Sequence, residues 1–515
     1  MKKSQIFKTL MLVAATLGSV ACLTACSSDD SLDNRQALED SPKQATVIMT
    51  VEATKASGDN ATNRALSLSD DGKTLYGKWE EGEEVWVYRQ YEKDDWRTIG
   101  TLSPTNISAD GLRCTLTGSF EASDIAWGGG LEVGDELKLE LGDDISLYFA
   151  QNGSLQTISD HFDHNLAMVT VDQVNTVTDG DKTVYSVTTT GSATFEPQKA
   201  IVRFNFQDKL GRPISAWNVF SYELLEYDLN FSSRVTSVYM AVTAKTYSNI
   251  SFRVTGYVDG KSITGQGDWY TYTRSNVTFE KGKFYDITLT LNRHVWLHSI
   301  ESDFTAQDGD IFEKRLYGDH QIFIPDGATV TLQGASINDE NSITNGNHAG
   351  ITCLGDATIV INTTNKYDAT SIVRSFGSGY PAIKPGGMGS TLTIKGNSGR
   401  LQAFGGDNAT AIGGSSNLSC GNIVISGGTV EATGGTGAPA IGNYGINKCG
   451  TITIENTVSR VTATKGSGAD CSIGRAGAFG SCGTVTIGGI VYWDGLAYQN
   501  GGEAYLATSP LTYQP

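Results

Sequence analysis

Short runs in which apolar and polar residues alternate follow one another along the first half of the chain. One run extends from Val85 to Tyr88, and others cover residues 45–51, 112–116, 137–141, 166–171 and 184–189. Alternation with a period of two places one side of a strand in the core and the other in water. Turn residues separate the runs at intervals typical of a β-sandwich, so we predict a first sandwich over residues 44–196.

A second group of alternating runs begins near residue 200. Residues 200–206 form a strongly apolar run that ends before a Gly211–Pro213 turn, and residues 286–291 alternate again after a turn at Gly282. The same spacing of strands and turns predicts a second β-sandwich over residues 197–292.

The last part of the chain repeats itself. Isoleucines recur at intervals of 32, 29, 29 and 32 residues, each followed by a short β-type run, and they are Ile351, Ile383, Ile412, Ile441 and Ile473. A unit of about thirty residues cannot bury its own apolar side, whereas stacked units can, which is typical of a solenoid. We therefore predict an all-β chain in which a right-handed parallel β-helix covers residues 293–515. A further β-sandwich is the alternative, but it does not explain the period.

The N-terminus has the pattern of an export signal. Three lysines flank or precede an apolar run at residues 9–21 that is too short to cross a bilayer. The small residues before Cys26 resemble a bacterial lipobox, which implies a signal peptide over residues 1–25 and a lipid on Cys26 that anchors the protein. An ordinary secretory signal with a chance cysteine is the alternative. Residues 26–43 are polar and aperiodic, as expected of a tether.

Several short motifs occur in a recognisable order. They are Arg64 before an apolar segment, a Trp-x-x-Gly-acidic pattern that leads into a strand at residues 79–88, His164 beside a Leu-Ala pair, and a Gly-x-aromatic-Tyr ending that begins at Gly282. Together they resemble the fimbrillin-like proteins of Bacteroidetes over about residues 44–292. The acidic stretch at residues 27–30 also resembles the export tag of Bacteroidetes lipoproteins, which implies the outer membrane, with the protein facing outwards.

The resemblance carries a further implication about Arg64. In the family, cleavage after an arginine can free a groove on the first sandwich, and the groove accepts a strand from the next subunit. Stalk subunits resemble bare sandwiches that donate their own C-terminal strands, whereas a solenoid follows the sandwiches here. We therefore expect a terminal or non-polymerising adhesion protein associated with a pilus, with Arg64 as a proteolytic processing site and other fimbrial subunits as partners.

The alternative function is glycan binding by the β-helix. Aromatic side chains stack on sugar rings, and Tyr444 and Trp493 lie in the loops or at the end of the solenoid. These two residues are the candidate glycan-binding residues, although bracing of the core explains them equally well. The formal net charge of −18 repels phosphate backbones, so we expect no nucleic-acid partner.

No pattern in the chain points to catalysis. Charged residues in the solenoid do not recur at the unit spacing, and signatures of a serine nucleophile, a phosphate loop or a zinc site are missing. We predict no enzymatic activity, no cofactor and no metal, with a polysaccharide lyase as the third hypothesis. His161 and His164 would point to opposite sides of a strand, so we expect structural or solvent-exposed roles for them.

Cysteines at repeat positions leave one question open. Cys420, Cys449 and Cys482 each precede a glycine at the start of a β-type run. They could be buried thiols or form a disulfide between neighbouring coils. Parallel strands aim the two Cβ vectors side by side, which strains a disulfide, so we favour free thiols that pack as small apolar groups.

Overall fold

The computed structural model describes residues 45–55, 67–68, 75–76, 78–121, 131–142, 151–161, 164–179, 182–225, 227–265, 267–338, 346–362, 370–477 and 480–515. Strands dominate these residues, which confirms the predicted all-β class. The α-helices described are α1 (Leu155–His161) and α2 (Gly502–Ala507), and a 3-10 helix covers Leu297–Ser299. Within the described ranges, neither helix has the length and apolar character needed to cross a bilayer.

The first unit is a seven-stranded β-structure. Its strands are β1 (Ala45–Lys55), β4 (Val85–Glu92), β5 (Asp95–Thr105), β6 (Arg113–Glu121), β7 (Glu136–Leu141), β8 (Asn165–Asp179) and β9 (Lys182–Pro197), and a separate short pair is β2 (Ser67–Leu68) with β3 (Leu75–Tyr76). They follow the order β1-β6-β5-β4-β7-β8-β9 and close on themselves as a barrel. Closure arises because β5 pairs with both β4 and β6, and β9 pairs with both β8 and β1.

The second unit is a sandwich of two sheets. One sheet contains β10 (Lys199–Gln207), β13 (Ser237–Thr243) and β16 (Phe284–Thr290), and the other contains β11 (Ile214–Phe220), β12 (Leu229–Val235), β14 (Thr246–Val258) and β15 (Asp268–Thr278). Phe204, Phe252 and Tyr270 are buried between them. Helix α1 packs Ile158 against Ile201 on the outer side of the first sheet.

The second sandwich continues into the solenoid without a break in the sheet. Strand β17 (Asn292–Trp296) pairs antiparallel with β15 and parallel with β19 (Ile311–Arg315). Strand β19 in turn pairs with β21 (Ala328–Ile337), the first long strand of the solenoid. The sandwich sheet that contains β15 therefore continues into one side of the solenoid, and the two form one extended surface.

The solenoid has three ladders of parallel strands, which we call faces A, B and C. Face A contains β21, β23 (Ala357–Asn362), β26 (Thr391–Lys395), β29 (Asn422–Ile425), β33 (Ile452–Ile454) and β37 (Val485–Ile487). Face B contains β24 (Thr370–Arg374), β27 (Arg400–Phe404), β30 (Thr429–Thr433) and β34 (Arg460–Thr464). Face C contains β18 (Phe304–Thr305), β20 (Ile322–Ile324), β22 (Ile351–Cys353), β25 (Ile383–Lys384), β28 (Ile412–Gly413), β31 (Ile441–Tyr444) and β35 (Ile473–Ala476).

The predicted isoleucine column is confirmed on face C. Each of the five isoleucines pairs in register with its counterpart one coil away, and all five are fully buried. The column extends upward, because Ile351 pairs with Ile322 and Ile322 with Phe304. The column therefore begins at Phe304, within the residues predicted to form the β-helix.

A column of glycines lies beside the isoleucines. Gly413, Gly442 and Gly474 follow the isoleucine in three consecutive coils and have φ values of 139°, 130° and 119°. A Cβ atom on Gly442 would lie 1.9 Å from the carbonyl oxygen of Gly474. Only glycine combines this backbone conformation with such a close approach of the next coil.

A cap of three short elements covers the last coil. Strand β38 (Ile490–Trp493) pairs antiparallel with β37, and β39 (Leu511–Tyr513) pairs antiparallel with β34. Helix α2 lies between them and buries Leu506. Two further short strands, β32 (Lys448–Cys449) and β36 (Ser481–Cys482), pair at a corner of the solenoid. The cap covers strands that would otherwise expose unpaired backbone groups.

Candidate functional site

The first candidate site is strand β1, which pairs along its length with a neighbouring strand on each side. It pairs antiparallel with β6, from Thr46 opposite Glu121 to Thr54 opposite Arg113. On its other side it pairs parallel with β9 over residues 45–55, with one register shift between Thr50 and Glu52. The strand therefore fills a slot between two strands of the barrel.

The side chains of β1 alternate between the core and the surface. Met49, Val51 and Ala53 are no more than 1% exposed, whereas Glu52 is exposed and accepts a hydrogen bond of 3.1 Å from the hydroxyl of Thr115. Burial of the two larger side chains contributes about 1.5–3 kcal/mol each. Without β1, the slot would be an apolar groove with an unpaired strand edge on each side.

Arg64 and Cys26 lie outside the described residues. Processing at Arg64 and a lipid on Cys26 therefore stay predictions. In the sequence, Arg64 follows β1, so a cut after Arg64 would separate this strand from the rest of the barrel.

Tyr444 lies at the end of β31 on face C. It pairs in register with Ala476 of the next coil, and its ring is partly buried. A Cβ atom built on Gly437 would lie 3.1 Å from the Tyr444 hydroxyl and from its ring. The ring thus packs over a glycine turn, and part of it is open to solvent.

Trp493 belongs to the cap. Its indole Nε1–H donates a hydrogen bond of 3.1 Å to the carbonyl of Cys482. Its ring meets Tyr498 edge-on at 4.9 Å between centroids, and the Arg475 guanidinium lies 5.5 Å from its centroid. These contacts support the bracing interpretation of Trp493, while glycan binding stays a prediction.

The three repeat cysteines stack in consecutive coils. The Sγ atoms of Cys420 and Cys449 are 3.1 Å apart, and Cys449 pairs in register with Cys482. All three are buried and free. Hydrogen bonds among these thiols, together with burial, raise the pKa of Cys449 well above its ordinary value. A protonated, buried thiol reacts slowly, so in this state the column packs as small apolar groups.

One of the two histidines considered for a metal site, His164, is paired with a carboxylate. His164 Nε2 lies 2.7 Å from the Glu140 carboxylate, while His161 belongs to α1. Among the described residues, no group of three or more His, Cys, Asp or Glu side chains could hold a metal ion. His164 thus has the structural role of tying β7 to the start of β8.

A set of acidic and amide residues at one corner of the solenoid has no counterpart among the residues predicted from the sequence. Each accepts a hydrogen bond from a backbone N–H of the next coil, at 2.7–2.9 Å: Asp308 from Thr329, Asp326 from Asp356, Asp356 from Thr391, and Asn422 from Thr451. We call this set the corner acceptors. In the sequence, each of these residues is an Asp or Asn just before or at the start of a β-type run, where it resembles an ordinary turn residue.

Fimbrial and cell adhesion proteins are among the solved structures to which the chain is similar. No family model and no curated protein matches it, while twenty chains of solved structures do. One is a tip fimbrial protein from Porphyromonas gingivalis with a C-terminal truncation, at 8% identity, covering 48% of this chain and 95% of that chain with a TM-score of 0.24.

Two further structures from Bacteroides match at the same level. A fimbrial protein from Bacteroides ovatus is 9% identical, and the match covers 48% of each chain with a TM-score of 0.22. A proposed cell adhesion protein from Bacteroides uniformis is 12% identical, covering 47% of this chain and 94% of that chain with a TM-score of 0.25. Likeness at this level carries no argument about function.

Proposed function

We propose that this chain is a surface adhesion protein whose first barrel accepts a strand from a partner once β1 is released. The observation that supports the proposal is the position of β1, which is hydrogen-bonded on both sides and buries Met49 and Val51 in the barrel core. A partner strand with the same alternation would restore the hydrogen bonds and refill the same apolar positions.

The C-terminal segment favours a terminal or non-polymerising role. Strand β39 pairs with β34, and Leu511 and Leu506 are buried against the last coil. The C-terminal segment forms part of the solenoid cap. If it were donated as a strand to another subunit, the last coil of the solenoid would be exposed. We therefore propose a protein that receives a strand at its barrel and presents its solenoid outward, with other fimbrial subunits as partners.

A strand-exchange assay tests this proposal. The chain carrying Cys26→Ser, which cannot be acylated, is cut at Arg64 with an arginine-specific protease and mixed with a fluorescent peptide of residues 44–56. We expect the cut protein to bind the peptide and raise its anisotropy, while uncut protein and the Arg64→Ala variant do not.

A second peptide provides the matched control. Replacing Met49 and Val51 by serine in the peptide removes the two large buried groups, so its affinity should fall by at least about 100-fold, since each 1.4 kcal/mol is a factor of ten. A cut protein that binds neither peptide, or binds both equally, would contradict strand acceptance.

Attachment through the N-terminus is the second part of the proposal. We propose that Cys26 carries the lipid and that the protein is anchored in the outer membrane, facing outwards. Cells grown with labelled palmitate should label the wild type and not Cys26→Ser. Protease added to intact cells should then remove the solenoid, and protection of the solenoid in intact cells would contradict an outward orientation.

Glycan binding by the solenoid is the second candidate function. The observation that favours it is the partly open ring of Tyr444 over the Gly437 turn. A glycan array probed with the full chain and with Tyr444→Ala and Trp493→Phe tests it. Equal binding by all three proteins, or no binding by the wild type, would remove these two residues as the site.

A further inference from the structure

One side of the extended sheet between the second sandwich and the solenoid carries an unusual number of aromatic rings. Three of the eight tryptophans lie there, on strands β11, β15 and β17 of one sheet. We call the following set the aromatic row: Trp217 and Phe220 of β11, Trp269 of β15, Trp296 of β17, and His298 just after it.

The register places these residues on the outer side of the sheet. Trp269 pairs with His294, and Trp296 pairs with Glu313, so all four side chains project to the same side. The opposite side holds Tyr270, Val295 and Phe312, which are no more than 1% exposed. The aromatic row is therefore not part of the core beneath it.

Three of the rings contact one another, and all five remain at least partly open to solvent. The centroids of Trp269 and Trp296 are 5.7 Å apart, and the Trp296 and His298 rings are stacked at 5.8 Å with 28° between their planes. The Arg253 guanidinium lies 5.2 Å from the Trp269 centroid and 5.0 Å from that of Phe220. Trp217 at one end of the row is 39% exposed.

A row of polar side chains accompanies the rings, and we call it the polar row: Thr271, His294, Glu313 and Gln333. The Thr271 hydroxyl and His294 Nε2 are hydrogen-bonded at 2.9 Å, and His294 Nδ1 lies 3.4 Å from the Glu313 carboxylate. The Gln333 amide donates to the other carboxylate oxygen. Four strands thus place a hydroxyl, an imidazole, a carboxylate and an amide in fixed mutual positions.

The carboxylate of the polar row stays charged. Burial acts to raise the pKa of Glu313, but the nearby His294 imidazole and the hydrogen bond from Gln333 outweigh this effect and hold the pKa below its usual range. Glu313 is therefore an ionised acceptor near neutral pH.

We propose that the aromatic row and the polar row together bind a neutral glycan chain. Sugar rings have apolar C–H faces that pack on indole rings, and their hydroxyls need a few well-placed donors and acceptors. The span from β11 to β19 is four strand steps of about 4.8 Å, about the length of a tetrasaccharide. The cores of protein–protein interfaces are depleted of charged groups, whereas here charged groups lie among the rings.

The charge of the site and of the whole chain favours a neutral glycan over an acidic one. Arg253 forms an ion pair with Asp228 at 3.1 Å, Glu313 adds a second carboxylate to the site, and the chain as a whole carries −18. An acidic polysaccharide would be repelled and would find no excess of cations, whereas a neutral one meets no electrostatic penalty. The inference does not depend on strand acceptance by the barrel, because the two sites lie in different units.

Native gels with embedded polysaccharide test the proposal with the full chain. The probes are hydroxyethyl cellulose, yeast mannan, laminarin and galactan as neutral polymers, and polygalacturonate as an acidic one. We expect retardation by at least one neutral polymer and none by polygalacturonate. The Trp217→Ala and Trp296→Ala variants should each weaken binding by at least about tenfold, because aromatic anchors dominate such contacts.

Trp86→Ala is the matched control, because Trp86 is also 39% exposed but lies on the first barrel. It should bind like the wild type, and near-ultraviolet circular dichroism should show that all variants are folded. The Glu313→Gln variant keeps the shape of the polar row and should weaken binding without unfolding. Unchanged binding by the Trp217→Ala/Trp296→Ala double variant, equal loss by Trp86→Ala, or no retardation by any neutral polymer would overturn the proposal.

Discussion

Truncation of a single isoleucine in the face C column should reveal how rigidly the coils are stacked. Ile412 is fully buried and pairs in register with Ile383 above and Ile441 below. Ile412→Ala removes three carbon atoms from the middle of the column. The coils cannot move together to fill the space, because the backbone is tied on both sides: Ile383 N–H donates to Ala411 at 2.9 Å, and Ala411 N–H donates to Ala440 at 2.9 Å.

The expected cost follows from this rigidity. Truncation of a buried isoleucine to alanine costs about 2–5 kcal/mol, and the larger values belong to sites that do not collapse. We therefore expect Ile412→Ala to lower the free energy of unfolding of the solenoid by about 3–5 kcal/mol. Ile372 is the matched control, since it belongs to the same solenoid but lies on the outer side of face B and is partly exposed. Ile372→Ala should cost less than about 1 kcal/mol.

Hydrogen exchange in graded denaturant measures both values by region. Peptides from residues 383–464 report on the solenoid, and peptides from residues 85–105 report on the barrel as an internal reference. We expect Ile412→Ala to lower protection in the first set only. A cost for Ile412→Ala no greater than that for Ile372→Ala would refute the stacked, non-collapsing column.

Three further substitutions test other contacts. Gly442→Ala should destabilise the solenoid by more than about 1–3 kcal/mol, because the positive φ alone costs that much and the new Cβ would also clash with Gly474. An unchanged midpoint of unfolding in urea would contradict the close approach of the two coils. Asn422→Ala should cost about 1 kcal/mol in urea by removing the acceptor for the Thr451 N–H, and Asn422→Asp should restore it. Burial raises the pKa of Asp268, so its ionisation costs stability as the pH rises from about 4 through that pKa. The Asp268→Asn variant should therefore have a higher melting temperature than the wild type at pH 7.5, and the difference should vanish near pH 3. A difference in melting temperature that does not depend on pH would contradict this prediction.

The solenoid could be predicted from the sequence because its signal is periodic. Residues such as Ile383, Ile412 and Ile441 recur at nearly constant spacing, so their register follows once the coils are assumed to stack. The corner acceptors could not be predicted in the same way. Whether a turn residue such as Asp356 bonds within its own turn or to Thr391 in the next coil depends on the height and rotation of each coil.

The candidate sites depend on pairings between distant segments, which leave no local signal. The slot for β1 exists because β1 pairs in parallel with β9, more than a hundred residues away. The aromatic row likewise depends on the strand order that brings Trp217, Trp269 and Trp296 together across β11, β14, β15 and β17. In the sequence these tryptophans are isolated residues of ordinary strands, whereas Tyr444 and Trp493 lie in or just after a segment with a visible repeat.

Hydrogen exchange of the protein before and after cleavage at Arg64 tests the central claim most directly. The flanking strands are β6 (Arg113–Glu121) and β9 (Lys182–Pro197), whose amides bond to β1. We predict that cleavage and removal of β1 expose the amides of these two strands, and that a peptide of residues 44–56 protects them again while the solenoid is unchanged. Full protection of β6 and β9 after β1 has been removed, or no recovery with the peptide, would contradict a strand-accepting groove.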